Sequence, residues 1–106
     1  EFYLGKADKS PTTKENIESL LLHAAGPEKY VQTPPAERAA KSVAAIRDIT
    51  GELKKLCGLP VRLSEAGVTE DKLETIAKTA LNDGAISFSP VEVSFEDALG
   101  VLKAAY

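Results

Sequence analysis

Residues that could carry chemistry are few in this chain. It contains one histidine, His23, and one cysteine, Cys57. A metal site needs three or four suitable ligands and a nucleophile needs a neighbouring base, and no HExxH, CxxC, GxSxG, GxGxxG or P-loop pattern supplies either. His23 is predicted to lie on the surface or at a helix end, and Cys57 to be a small hydrophobic residue in the core. No catalytic, metal-binding or cofactor-binding residue is predicted.

Two acidic pairs also invite a chemical interpretation. Glu70-Asp71 follows Thr69, and Glu96-Asp97 lies just after Ser94. Thr and Ser are good helix N-caps, and carboxylates in a first helical turn favour the positive end of the helix dipole. Both pairs are therefore predicted to stabilise helix N-termini and not to act as acid and base.

Phe88 is the one aromatic residue predicted to lie in a non-helical segment. Side chains on loops often face ligands or neighbouring domains. Packing within the protein is nevertheless the favoured interpretation for Phe88, because most aromatic side chains are buried in cores.

The first of four principal helices is predicted to begin at Thr12, with Glu15 completing a capping box, and to end at Gly26-Pro27. Leu22 falls outside its apolar face. It is interpreted as a surface residue, or else the helix is covered on two sides. The face itself consists of residues at helical spacing: Ile17, Leu20, Leu21 and Ala24.

The second and longest helix is predicted from Ala36 to Cys57, after Pro34-Pro35 and before the stop at Gly58 and Pro60. The intervening residues Glu28 to Thr33 are compatible with an extra helical turn. This long helix is predicted to be the centre of the core, because it carries a continuous narrow stripe with Ile49 and Leu56 on its flank. The stripe consists of Ala39, Val43, Ile46, Thr50, Leu53 and Cys57.

Two further helices are predicted in the last third of the chain. Leu59 to Gly67 is predicted to be a connector with a turn at Ser64 to Ala66. Thr69 is predicted to cap the helix that follows, which ends near Gly84. Ala85 to Val93 is predicted to be an extended loop or one short strand. Ser94, with Asp97, caps the last helix. Their apolar faces are Leu73, Ile76, Ala77, Ala80 and Leu81, and then Phe95, Ala98, Leu99, Leu102, Ala105 and Tyr106.

These elements predict an all-α fold, a small bundle of about four principal helices in a single domain over residues 1–106. The 106 residues are 43% hydrophobic and 27% charged, as in ordinary globular proteins. The net charge of −3, with both signs scattered, gives no basic face for nucleic acid or an anionic membrane. No apolar run could span a bilayer. One cysteine permits no internal disulfide, so a cytoplasmic location is expected.

The chain contains no methionine, not even at position 1. It is therefore expected to be a piece of a longer protein, with Glu1 to Ala7 as the end of an element that continues upstream. A processed terminus or a cloning scar at Glu1-Phe2 is the alternative.

Several short segments of residues 58–106 stand in a specific order and spacing. They are Gly58-Leu59-Pro60, Leu63 to Val68, Glu70-Asp71-x-Leu73, Ala80-Leu81-x-Asp83, Pro90 and the Glu96-Asp97 helix that ends at Ala105-Tyr106. With these segments, residues 58–106 resemble the extreme C-terminus of the iron-containing (group III) alcohol dehydrogenases, and weaker similarity runs through the upstream residues. The resemblance implies that the chain is the C-terminal portion of a larger, dehydroquinate-synthase-like helical domain.

In that family an N-terminal domain binds NAD or NADP, and the helical domain holds a divalent metal, commonly iron, through an Asp and three His. The resemblance places all of these ligands upstream of Glu1. The piece is therefore expected to bind no metal or nicotinamide itself, to be inactive alone, and to have the missing N-terminal part of its own parent chain as its partner.

The resemblance also implies that the loop Gly84 to Val91 approaches the active site of the parent enzyme. Ala85, Ile86 and Phe88 are the expected apolar lining of a substrate channel. Ser89-Pro90-Val91 stands where the family commonly has Asn-Pro-Arg, so no polar contact is expected from these positions.

The alternative hypothesis is a free-standing, non-catalytic helical interaction module that shares only the scaffold. If helices upstream are absent, the face at Ile17, Leu20, Leu21 and the flanking Leu22 should be partly uncovered. The isolated chain is then expected to self-associate or to bind an apolar dye.

Overall fold

The computed structural model describes residues 2–6 and 10–106, and these residues form six α-helices, two 3₁₀ helices and no strand. Four of the α-helices have nine residues or more, which confirms the predicted all-α fold. The α-helices are α1 Phe2–Gly5, α2 Pro11–Ala25, α3 Pro27–Gln32, α4 Pro35–Cys57, α5 Leu73–Leu81 and α6 Phe95–Ala105; the 3₁₀ helices are Glu70–Lys72 and Gly84–Phe88.

The chain divides into two compact units, an N-terminal unit Glu1–Cys57 and a C-terminal unit Gly58–Tyr106. The prediction of one domain over residues 1–106 stays a prediction. The interpretation of Glu1 to Ala7 falls partly on residues 1 and 7, which lie outside the described part. None of the described helices has both the length and the hydropathy that crossing a membrane requires.

Helix α2 is capped by Ser10, so the predicted capping box of Thr12 and Glu15 is wrong. The Ser10 hydroxyl oxygen accepts from the Thr13 backbone N–H at 3.4 Å and from the Thr13 hydroxyl at 2.7 Å. Pro11 occupies the first helical turn. Proline is favoured there because a backbone N–H at that position would have no partner within the helix. The N-cap is therefore two residues upstream of Thr12, and the helix begins at Pro11.

Gly26 separates α2 from α3 as predicted. Its φ of 85° lies in the left-handed region, where only glycine avoids a steric penalty, and its N–H donates to the Leu22 carbonyl at 3.1 Å. Pro27 then begins α3, which supplies the extra helical turn between Gly26 and Thr33.

The core of the N-terminal unit lies where α2 packs against the first half of α4. Leu21 on α2 is fully buried, and the small residues Ala39 and Ser42 on α4 are also buried. Ser42 donates its hydroxyl to the Arg38 carbonyl at 2.9 Å, so its burial leaves no unpaired polar atom. Leu22 is exposed, in agreement with its interpretation as a surface residue. Leu20 is exposed too, although it lies on the predicted apolar face of the helix.

The second half of α4 departs from the prediction that its whole stripe is core. Ile46, Leu53 and Cys57 are exposed, and the predicted core position of Cys57 is wrong. At 1.5 Å per residue, the 23 residues of α4 extend about 35 Å, whereas the 15 residues of α2 extend about 22 Å. One short helix cannot cover the longer one, so burial is confined to the N-terminal half of α4.

The core of the C-terminal unit lies between α5 and α6. Leu73 and Ala77 are buried and Ile76 is half-buried, which confirms the predicted face of α5 except at Ala80, which is exposed. Thr69 precedes the 3₁₀ helix Glu70–Lys72 and not α5 itself, and its side chain makes no capping bond.

The connector before α5 holds the end of α6 in place. The Leu63 N–H donates to the Ala105 carbonyl at 2.9 Å, and the Ser64 hydroxyl donates to the Tyr106 carbonyl at 2.8 Å. The last carbonyls of a helix have no partner within it, and these two bonds satisfy a pair of them. The turn predicted at Ser64 to Ala66 is confirmed, and Gly67 closes it at a φ of 84°.

The capping box predicted at the start of α6 is confirmed. The Ser94 hydroxyl oxygen accepts from the Asp97 N–H at 3.1 Å, while Asp97 Oδ2 accepts from the Ser94 N–H at 3.2 Å. Ser94→Ala is expected to destabilise the C-terminal unit by about 1 kcal/mol, because it leaves a helix N–H without its cap. Ser94→Gly should destabilise the unit by only roughly a few tenths of a kcal/mol. Urea unfolding followed by circular dichroism measures both.

Ser87→Ala is the matched control for this prediction, because Ser87 is an exposed serine in the same unit and lies outside the capping box. We expect its unfolding midpoint to equal that of the natural chain. Equal midpoints for Ser94→Ala and Ser87→Ala would show that the capping box contributes nothing measurable.

Candidate functional site

The two residue types most often found in metal and nucleophile sites lie apart from other candidate groups. His23 is exposed in the last turn of α2, as predicted. Cys57 is exposed at the end of α4, where its thiol donates to the Leu53 carbonyl at 3.0 Å. Within residues 2–6 and 10–106 there is no group of three or more His, Cys, Asp or Glu that could hold a metal. These residues do not fit the metal that the family resemblance implies.

The acidic pairs lie at helix starts. Asp97 accepts from both the backbone N–H and the hydroxyl of Ser94, which accounts for its position without any acid–base role. Glu70 and Asp71 lie in the first turn of a 3₁₀ helix, and Asp71 pairs with Lys72 at 3.6 Å on the surface. An exposed ion pair of this kind contributes little to stability.

The segment expected to line a substrate channel, Gly84 to Val91, begins with a 3₁₀ helix over Gly84–Phe88. The extended loop or strand predicted for Ala85 to Val93 is therefore wrong for Ala85 to Phe88, whereas Ser89 has extended backbone and the residues after it are not helical. The Asp83 carboxylate accepts from the Ala85 N–H at 2.8 Å, and this local bond turns the chain at the start of the segment. A lone strand would leave its backbone groups unpaired, whereas the turn pairs them within a few residues.

Two of the three proposed lining residues share one side of this 3₁₀ helix. Side chains three residues apart eclipse each other in a 3₁₀ helix, so Ala85 and Phe88 lie on the same side and Ile86 lies on another. Ala85 is exposed and the Phe88 side chain is 90% exposed, whereas Ile86 is half-buried. The favoured interpretation, that Phe88 packs within the protein, is therefore wrong.

This segment has few groups that could take part in binding or catalysis. Gly84 to Val91 contains no ionisable side chain, so it offers apolar contact and the hydroxyls of two serines. One of these, Ser89, donates to the Val91 carbonyl at 2.7 Å and holds the turn at Pro90. An exposed aromatic ring on a turn with its own hydrogen bonds can form the apolar wall of a site, but it supplies no acid, base or nucleophile.

The sequence did not predict the contact between Arg38 and Tyr30. The Arg38 guanidinium lies over the Tyr30 ring at 4.1 Å, and its Nε donates to the Thr33 carbonyl at 3.1 Å. These contacts join α3 to the start of α4 and are structural. The buried Ser42 was also missed, although its position three residues after Ala39 is a signal for close helix packing, since small residues allow helices to approach.

The comparisons with known proteins indicate a distant, dehydrogenase-like relationship. No model of a known protein family matches it, and no solved structure matches it. It is similar to the protein named Dehydrogenase ALT3 from Alternaria alternata, with 29% identity over 78 residues. Those residues are 74% of this chain and 20% of the dehydrogenase, so the chain spans about a fifth of the length of that relative.

Proposed function

We propose that this chain is the C-terminal helical part of an iron-containing, NAD(P)-dependent alcohol dehydrogenase that transfers hydride between an alcohol and a nicotinamide. The observation that carries the proposal is the similarity to a dehydrogenase over 78 residues. Those residues are 20% of the length of that dehydrogenase. The resemblance of residues 58–106 to the end of the iron-containing family supports the narrower assignment.

In the proposed enzyme this chain would supply part of the protein wall around the substrate. Its described residues offer no ligand set for a metal, so metal and nicotinamide would be held by residues outside the chain. No step of the hydride transfer is assigned to a residue described above. The exposed side of the 3₁₀ helix, with Ala85 and Phe88, is the proposed apolar contact with the alcohol.

A direct comparison of two proteins tests the proposal. The product of the complete gene and the 106-residue chain are each incubated with Fe²⁺, a panel of alcohols, and NAD⁺ or NADP⁺, and the reduced nicotinamide is followed by its absorbance. We expect activity from the complete product alone and its loss on treatment with a chelator. A complete product that oxidises none of the alcohols would contradict the proposal. A gene that encodes nothing beyond these residues would favour the non-catalytic interaction module.

Phe88→Ala in the complete enzyme is expected to lower kcat/KM for a long-chain alcohol by roughly tenfold and for ethanol much less. The reason is that removing one apolar contact in a substrate pocket costs about 1–3 kcal/mol of transition-state binding. Steady-state kinetics with a series of alcohols of increasing chain length measures the effect.

Val31→Ala is the control for this prediction, since Val31 is an exposed aliphatic residue on α3, far along the chain from the proposed wall. It should leave both alcohols unaffected. If Phe88→Ala lowers kcat/KM equally for all chain lengths, the ring does not contact the alcohol chain.

A further inference from the structure

Four aliphatic side chains lie exposed along the second half of α4. They are Ile46, Ile49, Leu53 and Leu56, with exposed fractions of 45%, 46%, 40% and 79%. Together with Thr50 and Cys57 they form one continuous surface, here called the α4 face. Scattered exposed aliphatic residues are ordinary, but a continuous row on one helix marks an interaction surface.

The α4 face continues a surface that is already buried against a helix. Ala39 is buried in the contact with α2, and the stripe runs on from it in steps of four and three residues through Val43, Ile46, Thr50, Leu53 and Cys57. This alternation keeps side chains in line along a neighbouring helix, as in coiled coils. The spacing therefore indicates that a helix, and not a strand or a small ligand, covers the second half as well.

The polar atoms on the α4 face are already paired within the helix. The Thr50 hydroxyl donates to the Arg47 carbonyl at 2.9 Å, and the Cys57 thiol donates to the Leu53 carbonyl at 3.0 Å. Ser42 makes the same type of bond in the part of α4 that is fully buried. Because these groups need neither water nor a partner, an apolar surface can cover the face without leaving a polar atom unsatisfied.

We propose that the α4 face docks an amphipathic helix from the part of the dehydrogenase chain that lies outside these 106 residues. This inference rests on the proposed function. The matched segment is 20% of the related dehydrogenase, which leaves four-fifths of such a chain available to supply the helix.

A second copy of the chain is the weaker candidate for the α4 face on grounds of area. A stable protein–protein interface buries about 800 Å² on each partner. Four aliphatic side chains, each smaller than the roughly 150–250 Å² of a buried aromatic residue and exposed by only 40–79%, present less than that area. A helix in the same polypeptide needs less area, because it is already held nearby by the chain.

Cys57 provides the probe for the first test, since it is the one cysteine in these 106 residues and lies at the end of the α4 face. The 106-residue chain and the complete product are treated with N-ethylmaleimide, and modification of the Cys57 peptide is followed by mass spectrometry. We expect modification at least tenfold slower in the complete product. A cysteine introduced by Val31→Cys, on the exposed side of α3, is the internal control and should react equally in both proteins.

Leu53→Glu provides the second test. In the 106-residue chain it should leave the urea midpoint unchanged, because Leu53 is exposed there. In the complete product it should reduce the yield of soluble enzyme by tenfold or more, because the docked helix would meet a buried charge. Val31→Glu, an equal change at another exposed aliphatic residue, should reduce neither.

The outcomes separate this inference from the proposed function. If the complete product oxidises alcohols but its Cys57 reacts as fast as in the 106-residue chain, the docking proposal is wrong and the proposed function stands. If Cys57 is protected but no alcohol is oxidised, the dehydrogenase assignment is wrong and helix docking stands. Protection that rises with the concentration of the 106-residue chain alone would identify a second copy as the occupant and overturn the proposal.

Discussion

Leu21→Ala is expected to destabilise the N-terminal unit by about 2–5 kcal/mol. Leu21 has no exposed surface and lies on α2, which packs against α4. The substitution removes buried methyl groups and leaves a cavity, because a close-packed interior relaxes only partly around the missing atoms. A unit of this size has only a small core, so a loss of this magnitude is a large part of its stability.

Leu22→Ala is the matched control, since Leu22 is the adjacent residue on the same helix but is 38% exposed. Its expected cost is less than about 1 kcal/mol, within the range of surface substitutions. Urea unfolding gives the two free energies, and amide hydrogen exchange over residues 11–57 shows whether α2 and α4 open. Similar losses for both variants would mean that α2 does not pack through Leu21.

Leu73→Ala is expected to have an effect of similar size, about 2–5 kcal/mol, in the C-terminal unit. Leu73 begins α5 and is almost fully buried, and the fully buried Ala77 follows it one turn later on the same face. Truncating Leu73 removes the largest buried side chain of the contact between α5 and α6. Hydrogen exchange of the amides in these two helices measures the loss.

Val101→Ala serves as the control in this unit, because Val101 lies on α6 but is 45% exposed. Alanine is the better helix former, and this gain opposes the small loss of apolar contact. The net change in the free energy of unfolding should therefore be near zero. If Leu73→Ala left the exchange of α5 unchanged, Leu73 would not be part of the core.

Several helix ends, both starts and stops, were predictable from the sequence because each depends on residues close along the chain. Gly26-Pro27, the glycine after Cys57 and the Ser94 and Asp97 capping box all lie where they were predicted. Glycine at a positive φ, proline after a helix and a cap three residues from its partner act through local sterics and local hydrogen bonds. Where a local preference competed with another, as at Ser10 and Thr12, the better placed proline decided the start.

The proposed wall of the site was only partly predictable. The sequence singled out Ala85, Ile86 and Phe88, but it did not show that Gly84–Phe88 is a 3₁₀ helix with Ala85 and Phe88 on one side. The turn is held by local bonds, from the Ala85 N–H to the Asp83 carboxylate and from the Ile86 N–H to the Asp83 carbonyl, and such local bonds compete with an extended conformation. The channel role of these residues stays a prediction.

Taken by itself, the sequence determined that the chain is all-helical and which face of each helix is apolar. It could not determine which part of an apolar face is covered, and α4 shows why: the stripe from Ala39 to Cys57 is uniform in the sequence, yet only Ala39 at its start is buried. Periodicity is a property of one helix, whereas burial requires a second element at the right place along it. The tertiary structure alone decided that α4, packed against α2, has Ala39 and Ser42 buried and Leu53 and Cys57 exposed.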